Sequence, residues 1–363
     1  MKLKEYLNTP FRRMMARNLA LVLVMGVMVA YVALHDSRRL YGESMIFSTM
    51  STTASVDLWH KDRAKVKQAL AAAHGAIREV EKTCNIFDPE SELSRLNSTA
   101  AEEPFVCGDL LWEVLTHART FYRDSGGAFD VTIDPLMKLW GFHSKRETLP
   151  SDEEIAAAKA LTGLDKVEFD DARHSVRFTV PGMSINLGGI AKGFALDRAA
   201  AAVRALGITT GWIEIGGNIL ALPKKNGGGR YSAGIKNPFR KDTLLGHVPR
   251  RDAAISTSGN YDRYVVIDGR QYTHIIDPAT GLPVADMDAV TVIVPAGKDV
   301  PPGVASDAIS TSVFIAGPDA VAGWMKRFPG LRVLIVRGPS DRPELLQYNI
   351  SPKLKLGHTE CAR

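Results

Sequence analysis

The sequence predicts an α+β fold behind one N-terminal membrane-anchor helix. Three observations carry that reading. Helical stripes and short alternating runs are both present, an unbroken apolar run near the N-terminus stands apart from them, and glycine, aspartate and proline turns separate the rest. Strands and helices follow one another without the steady strand–helix–strand rhythm of a parallel sheet. We divide the 363 residues into an anchor segment, 1–40, and one extracytoplasmic unit, 41–363.

Lys2, Lys4, Arg12, Arg13 and Arg17 precede the apolar run Leu19 to Leu34. A basic flank holds that end in the cytoplasm. The run is slightly shorter than the roughly 20 residues a spanning helix prefers. Val29–Leu34 has no small-residue cleavage pattern, and no cysteine directly follows to carry a lipid. An uncleaved signal anchor in the cytoplasmic membrane is therefore favoured over a cleaved signal. Residues 35–48 read as a polar tether, and Thr53 to Trp59 alternates as a strand. Val66, Leu70, Ala73, Ile77, Val80 and Cys84 recur at helical spacing. Asp88 to Glu92 is a polar loop, and Ser91 to Asn97 has the shape of a helix cap. A second helix takes Asp109 as its N-cap, buries Leu111, Val114, Leu115, Ala118, Phe121 and Tyr122, and stops at Gly126-Gly127. Ser151-Asp-Glu-Glu154 opens a third with a capping box. Ser175 to Val180, Ser184 to Leu187, Gly211 to Ile215, Tyr264 to Ile267, Tyr272 to Ile276 and Ala289 to Val294 read as strands, Ile190 to Leu206 as a helix, and Gly227-Gly-Gly229 as a hairpin-like loop.

Composition narrows the function. With 45% apolar and 23% charged residues the chain has ample core material. The net charge of +5 is mild, sits partly at the N-terminus and is not interleaved with aromatics, which argues against nucleic acid. Cys84, Cys107 and Cys361 form no CxxC pair, which argues against structural zinc; a Cys84–Cys107 disulfide stays open.

Four stretches have chemical potential. Ile185 to Phe194 reads INLGGIAKGF. It resembles a phosphate loop, but Lys192 precedes the last glycine, unlike a P-loop. The free N–H groups of a helix start, with Gly188-Gly189 and Lys192, suit an anion; a plain strand-to-helix turn is the alternative. Asp307 and Thr311 stand four apart and share a helical face. Such a pair suits Mg²⁺ alongside a phosphate, or else caps and packs a helix. His274, read as a strand residue opposite Thr273 and Ile275, is either structural or an acid–base group beside a phosphate. Gly126 to Pro135, with Phe129 read as exposed, is either a clamp for a planar ring or a turn and strand.

The order of these stretches adds specificity. Met50-Ser-Thr, PESELSRLN, GGAFDVTIDPLMKLWGF, INLGGIAKGFALDRA, WIEIGGNILA, AISTSGNYDRY, THIIDPATGLPV and SDAISTSVFIAG together resemble the ApbE family, the FAD:protein FMN transferases, from about Met50 to Gly317. The resemblance implies a single α+β unit with an ApbE-type, T-fold-like core that binds FAD and Mg²⁺. Such proteins transfer FMN to a threonine or serine of a partner redox protein, an Rnf- or Nqr-type or other exported flavin subunit, and release AMP. It places the flavin against Met50, Phe87, Ala128, Phe129, Asp130, Gly188, Phe194 and Ile276, and the metal at the Ala191 carbonyl, Asp307 and Thr311. Lys192 then assists at the pyrophosphate. Asp307 and His274 become the catalytic candidates, His274 as base and flavin neighbour. FAD hydrolysis to FMN and AMP, or non-catalytic flavin carriage for a respiratory complex, are the competing functions. This chain departs from the family pattern at Asn186-Leu-Gly188, where Asp-Leu-Ser is usual. Phe87, Ser51, Phe194 and Asn260 replace the usual Tyr or Trp, Gly, Tyr and Asp.

Overall fold

A computed structural model describes residues 10–36, 40–223, 232–240, 242–249, 252–297, 299–351, 354 and 359–360, with side chains in the first helix at 14–28. Gly227-Gly-Gly229, Cys361 and the basic side chains from Lys2 to Arg13 lie outside the described residues. The first helix is Pro10–Asp36. Among the described residues no helix is long and apolar enough to cross a membrane.

The body is built on one eight-stranded sheet. Its order is Tyr41–Thr49, Thr52–His60, Gly211–Ile215, Asn218–Ala221, Ala253–Gly259, Ala289–Pro295, Arg332–Arg337 and Glu344–Tyr348. Every neighbouring pair is antiparallel. The central strands are apolar on both faces because both are covered. Along Ala289–Pro295, Val290, Val292 and Val294 face the main core, while Ala289 and Ile293 face a second one. The second core is shared with a smaller sheet containing Ser232–Lys236 and Thr243–Pro249.

Several helices bear on the main core, among them Arg63–Cys84, Asp109–Asp124, Ala191–Ala205 and Pro302–Ala316; the first, third and fourth of these frame the site. The first buries Val66, Leu70, Ile77 and Val80, each worth about 1.5–3 kcal/mol of transfer free energy. Asp62 caps it by accepting from the amides of Ala64 and Lys65. The last two helices approach through bare backbone: a Cβ on Gly193 would lie 2.2 Å from the Gly303 carbonyl oxygen. Asp197 reinforces the contact by accepting from Gly303 N at 2.9 Å and Val304 N at 2.7 Å, capping the neighbouring helix from outside. Hydroxyl pairs Ser256–Ser306, at 2.8 Å, and Ser258–Ser310, at 2.9 Å, tie the last helix to its strand.

The structure corrects several sequence expectations. The tether begins a strand: Tyr41–Thr49 pairs along Thr52–His60, with only every other side chain half-covered, so its pattern is faint. Ser184 to Leu187 is extended but joins no ladder; Asn97 brackets Ile185 instead, donating to its carbonyl and accepting its amide. The strand Arg270–Thr273 ends before His274, which sits in a bend. Asp109 is the first residue of its helix, Asp109–Asp124, and Gly108 is the cap. Phe129 is 2% exposed, part of the core rather than a surface ring. Cys84 and Cys107 are unpaired and buried, and burial pushes both thiols up to about 12.

Candidate active site

The helix Ala191–Ala205 opens directly from the Gly188-Gly189 turn, with Ile190 as N-cap and no side-chain cap. The Ala191 amide turns back to the Leu187 carbonyl at 2.8 Å, which leaves the Lys192 and Gly193 amides without an intrahelical acceptor. One of them is used: Gly193 N donates to Asp307 Oδ2 at 2.9 Å. Asn218 Nδ2 donates to Asp307 Oδ1 at 2.8 Å. Lys192 Nζ stands 3.9 Å from the same oxygen while donating to the Gly188 carbonyl at 3.1 Å. Asp307 is 4% exposed and stands mid-helix, so it is no helix cap. Two neutral donors and one more distant cation leave much of its charge uncompensated.

Thr311 lies on the same helix face, its hydroxyl 3.3 Å from that of Ser258. A Cβ on Gly189 would touch Phe129 at 3.3 Å and the Thr311 hydroxyl at 3.6 Å. Two motifs far apart in sequence, GGAF and INLGG, thus meet the SDAIST helix at one glycine. Ala191 is buried at the first turn, two residues before the amide that grips Asp307. A backbone carbonyl, a carboxylate and a hydroxyl form an all-oxygen donor set, which fits a hard divalent cation. No group of three or more His, Cys, Asp and Glu side chains suited to a metal occurs among the described residues. A carbonyl–carboxylate–hydroxyl site needs no such group.

His274 is half-buried. Its Nδ1 lies 2.9 Å from the Arg263 carbonyl oxygen. A carbonyl only accepts, so Nδ1 carries the proton and Nε2 keeps its lone pair. Burial, then the positive charges of Lys192 and Arg263, push the imidazole down to about 4 despite that hydrogen bond. It is neutral at neutral pH.

The flavin-side candidates are more dispersed. Phe87 is 56% exposed, its ring 5.1 Å from that of His143. Met50 and Ser51 form the tip of the first hairpin, both at positive φ, 47° and 58°. Such backbone is costly for non-glycine residues, and here the Met50 amide is fixed by Glu81. Ala128 is half-buried. Asp130 Oδ1 accepts from the Thr132 amide at 2.8 Å and hydroxyl at 2.6 Å, while burial pushes the carboxyl up. Phe194 and Ile276 are buried in separate cores. Neither side chain faces solvent.

Sequence reasoning missed Asn218, Ser258 and His143, and read Asp134 only as one of the two acids in the Gly126 to Pro135 stretch. Asn218 follows Gly216-Gly217, whose φ values of 56° and 89° make a tight hairpin. Its Gly-Gly-Asn signature is what any turn shows. Only the fold reveals that it aims at Asp307.

The ApbE family model matches residues 50–335. A protein of Treponema pallidum (strain Nichols) named FAD:protein FMN transferase is 31% identical over 294 residues, covering 74% of this chain and 79% of that one. A protein of the same name from Klebsiella pneumoniae (strain 342) is 28% identical over 294 residues, covering 79% and 82%. Among solved structures, the flavin transferase ApbE from Vibrio cholerae superposes with a TM-score of 0.72 at 26% identity, covering 85% of this chain and 97% of that one. The ApbE protein from Thermotoga maritima does so with a TM-score of 0.75 at 29% identity and the same coverage. Motif order, sheet and family match agree, and the chain belongs to the ApbE family.

Proposed function

We infer that this chain is an FAD:protein FMN transferase, moving FMN from FAD onto a threonine or serine hydroxyl of a partner redox protein and releasing AMP. The carrying observation is Asp307, a nearly buried, under-compensated carboxylate at a helix start beside Lys192 and the Gly188-Gly189 turn.

Asp307, Thr311 and the Ala191 carbonyl would hold Mg²⁺, which when bound offsets negative charge on the pyrophosphate. The chain's own contribution is positioning. The Gly188-Gly189 turn admits phosphate oxygens close to backbone, and the Lys192 amide and ammonium attract them. The acceptor hydroxyl forms the new O–P bond, the P–O bond to AMP breaks, and AMP leaves with the electron pair. His274 Nε2 takes the hydroxyl proton. Burial first, then the charges of Lys192 and Arg263, disfavour protonation in the free enzyme. A bound pyrophosphate counters those cations, so the imidazole becomes a stronger base when substrate arrives.

The same reading puts the chain at the cytoplasmic membrane, single-pass, with its catalytic unit on the periplasmic side. Its support is the basic flank and the apolar run, with Leu19, Val22 and Leu23 exposed on the first helix. Extraction of membranes with alkaline carbonate tests it: an anchored chain stays in the pellet.

The activity test combines purified chain, FAD, Mg²⁺ and a candidate acceptor. The expected result is a fluorescent acceptor band in a denaturing gel, with one AMP released per label. AMP released at the same rate with or without acceptor overturns transfer in favour of hydrolysis; FAD bound without any AMP release overturns both.

A further inference from the structure

A second buried carboxylate lies at the other end of the INLGG stretch. Asp134 is 0% exposed. Its Oδ2 ion-pairs with Lys138 Nζ at 2.8 Å and accepts from the Ser184 hydroxyl at 2.8 Å. Its Oδ1 accepts from Asn186 Nδ2 at 3.0 Å. His143 Nε2 stands 2.8 Å from Oδ1, close enough for an ion pair though off the line of a hydrogen bond. The connections continue outward on both sides. Asn186 Oδ1 accepts the Gly188 amide at 3.0 Å, and His143 packs its ring on Phe87. One carboxylate thereby joins the start of the phosphate turn to the exposed aromatic wall.

We propose that Asp134 is a positioning residue that sets the spacing between the Phe87–His143 wall and the Gly188 turn, and so the fit of the flavin–ribityl–phosphate half of the dinucleotide. The inference rests on reading Gly188-Gly189 as the pyrophosphate turn and Phe87 as the flavin wall. A ligand spanning two subsites gains from both only when their separation matches its length. FMN, with its ring at one end and its phosphate at the other, senses the separation as FAD does; AMP, which lacks the ring, does not. Asp134 touches neither reacting atom nor metal position.

Asp134→Asn keeps the side chain's shape. In the purified full chain, AMP binds within about twofold of wild type, whereas FMN and FAD affinities each fall about tenfold and the kcat of FMN transfer about thirtyfold. Equal losses for FMN, AMP and FAD mean a merely structural role and overturn the proposal. So does wild-type FAD binding and transfer by the folded variant. Should Asp134→Asn fail to fold, Asn186→Ala cuts the same link while leaving Lys138, His143 and Ser184 on the carboxylate. A loss for FAD and FMN but not for AMP there supports the proposal and wild-type behaviour overturns it. A wild-type chain that binds no FAD overturns the parent reading, and this inference with it. A wild-type chain that transfers FMN, matched by Asp134→Asn, overturns the inference alone.

Discussion

Asp307 and Asp134 are two nearly inaccessible carboxylates flanking one loop, and their partners differ in kind. Asp134 has a lysine and a histidine within ion-pair distance and two neutral donors besides. Asp307 has two neutral donors and a lysine at 3.9 Å that also bonds a carbonyl. A buried carboxylate in direct contact with a lysine is a strut; one held mainly by neutral dipoles retains attraction for a cation. The local sequences, TIDPL and ASDAI, do not announce this difference. The charge that surrounds each residue after folding does.

Removing the under-compensated charge has the largest expected effect. Asp307→Ala lowers FMN labelling by about a thousandfold or more, read as acceptor fluorescence in a denaturing gel. Labelling at full rate would end the assignment of different roles to the two carboxylates. His274→Ala comes next, at about a hundredfold. Its pH profile sharpens the point. In the free enzyme the imidazole lies near 4, so kcat/KM holds its value down through pH 5 and falls only below that. In the bound complex the phosphates raise it, and the acid limb of kcat moves to higher pH. Coincident limbs would mean that no pyrophosphate sits beside Lys192 and His274.

Much of the fold was legible because its signals are local. Arg63–Cys84 shows its stripe, the Ser151 capping box forms as expected, and Ala289–Pro295 reads as a buried strand. The motifs were legible too, and Gly189, Phe129 and Thr311 do converge. What stayed hidden depends on long-range pairing. Tyr41–Thr49 is half-covered by a partner strand and carries little alternation. Asn218 and Asp307 are 89 positions apart. Phe129 seemed exposed because it follows glycines, yet Gly189 and Phe121 enclose it. Asn186 looked like a lost charge; in the fold it shares the Asp134 carboxylate.

The contact that delivers the Gly193 amide to Asp307 is also breakable. Gly193→Ala drives a methyl to 2.2 Å from the Gly303 carbonyl oxygen, which is backbone and has little room to yield. Overpacking of this kind costs about 1–3 kcal/mol, read as a lower denaturation midpoint, with Asp307 losing its amide donor. The same methyl at Gly207, where nothing lies within 4 Å, meets no such wall, although its φ of 78° still strains a side chain.

Asp197 offers the smallest effect and a different readout. It caps the Pro302–Ala316 helix with both oxygens, yet desolvation outweighs those two amides and raises it from 3.8 to about 7. The folded chain then holds this proton more tightly than the unfolded chain between those two values. Stability from this group is full below pH 3.8 and is lost as pH rises through 7. Melting temperature should therefore fall from pH 5 to pH 8, and Asp197→Asn should flatten that slope. Asparagine keeps one acceptor oxygen, so the loss below the transition is about 1 kcal/mol, one hydrogen bond. A wild-type slope of the opposite sign, removed by the same substitution, would mean that the helix amides hold Asp197 ionised. It would then be a charged cap, and the cation-attracting character at this helix pair would no longer belong to Asp307 by itself.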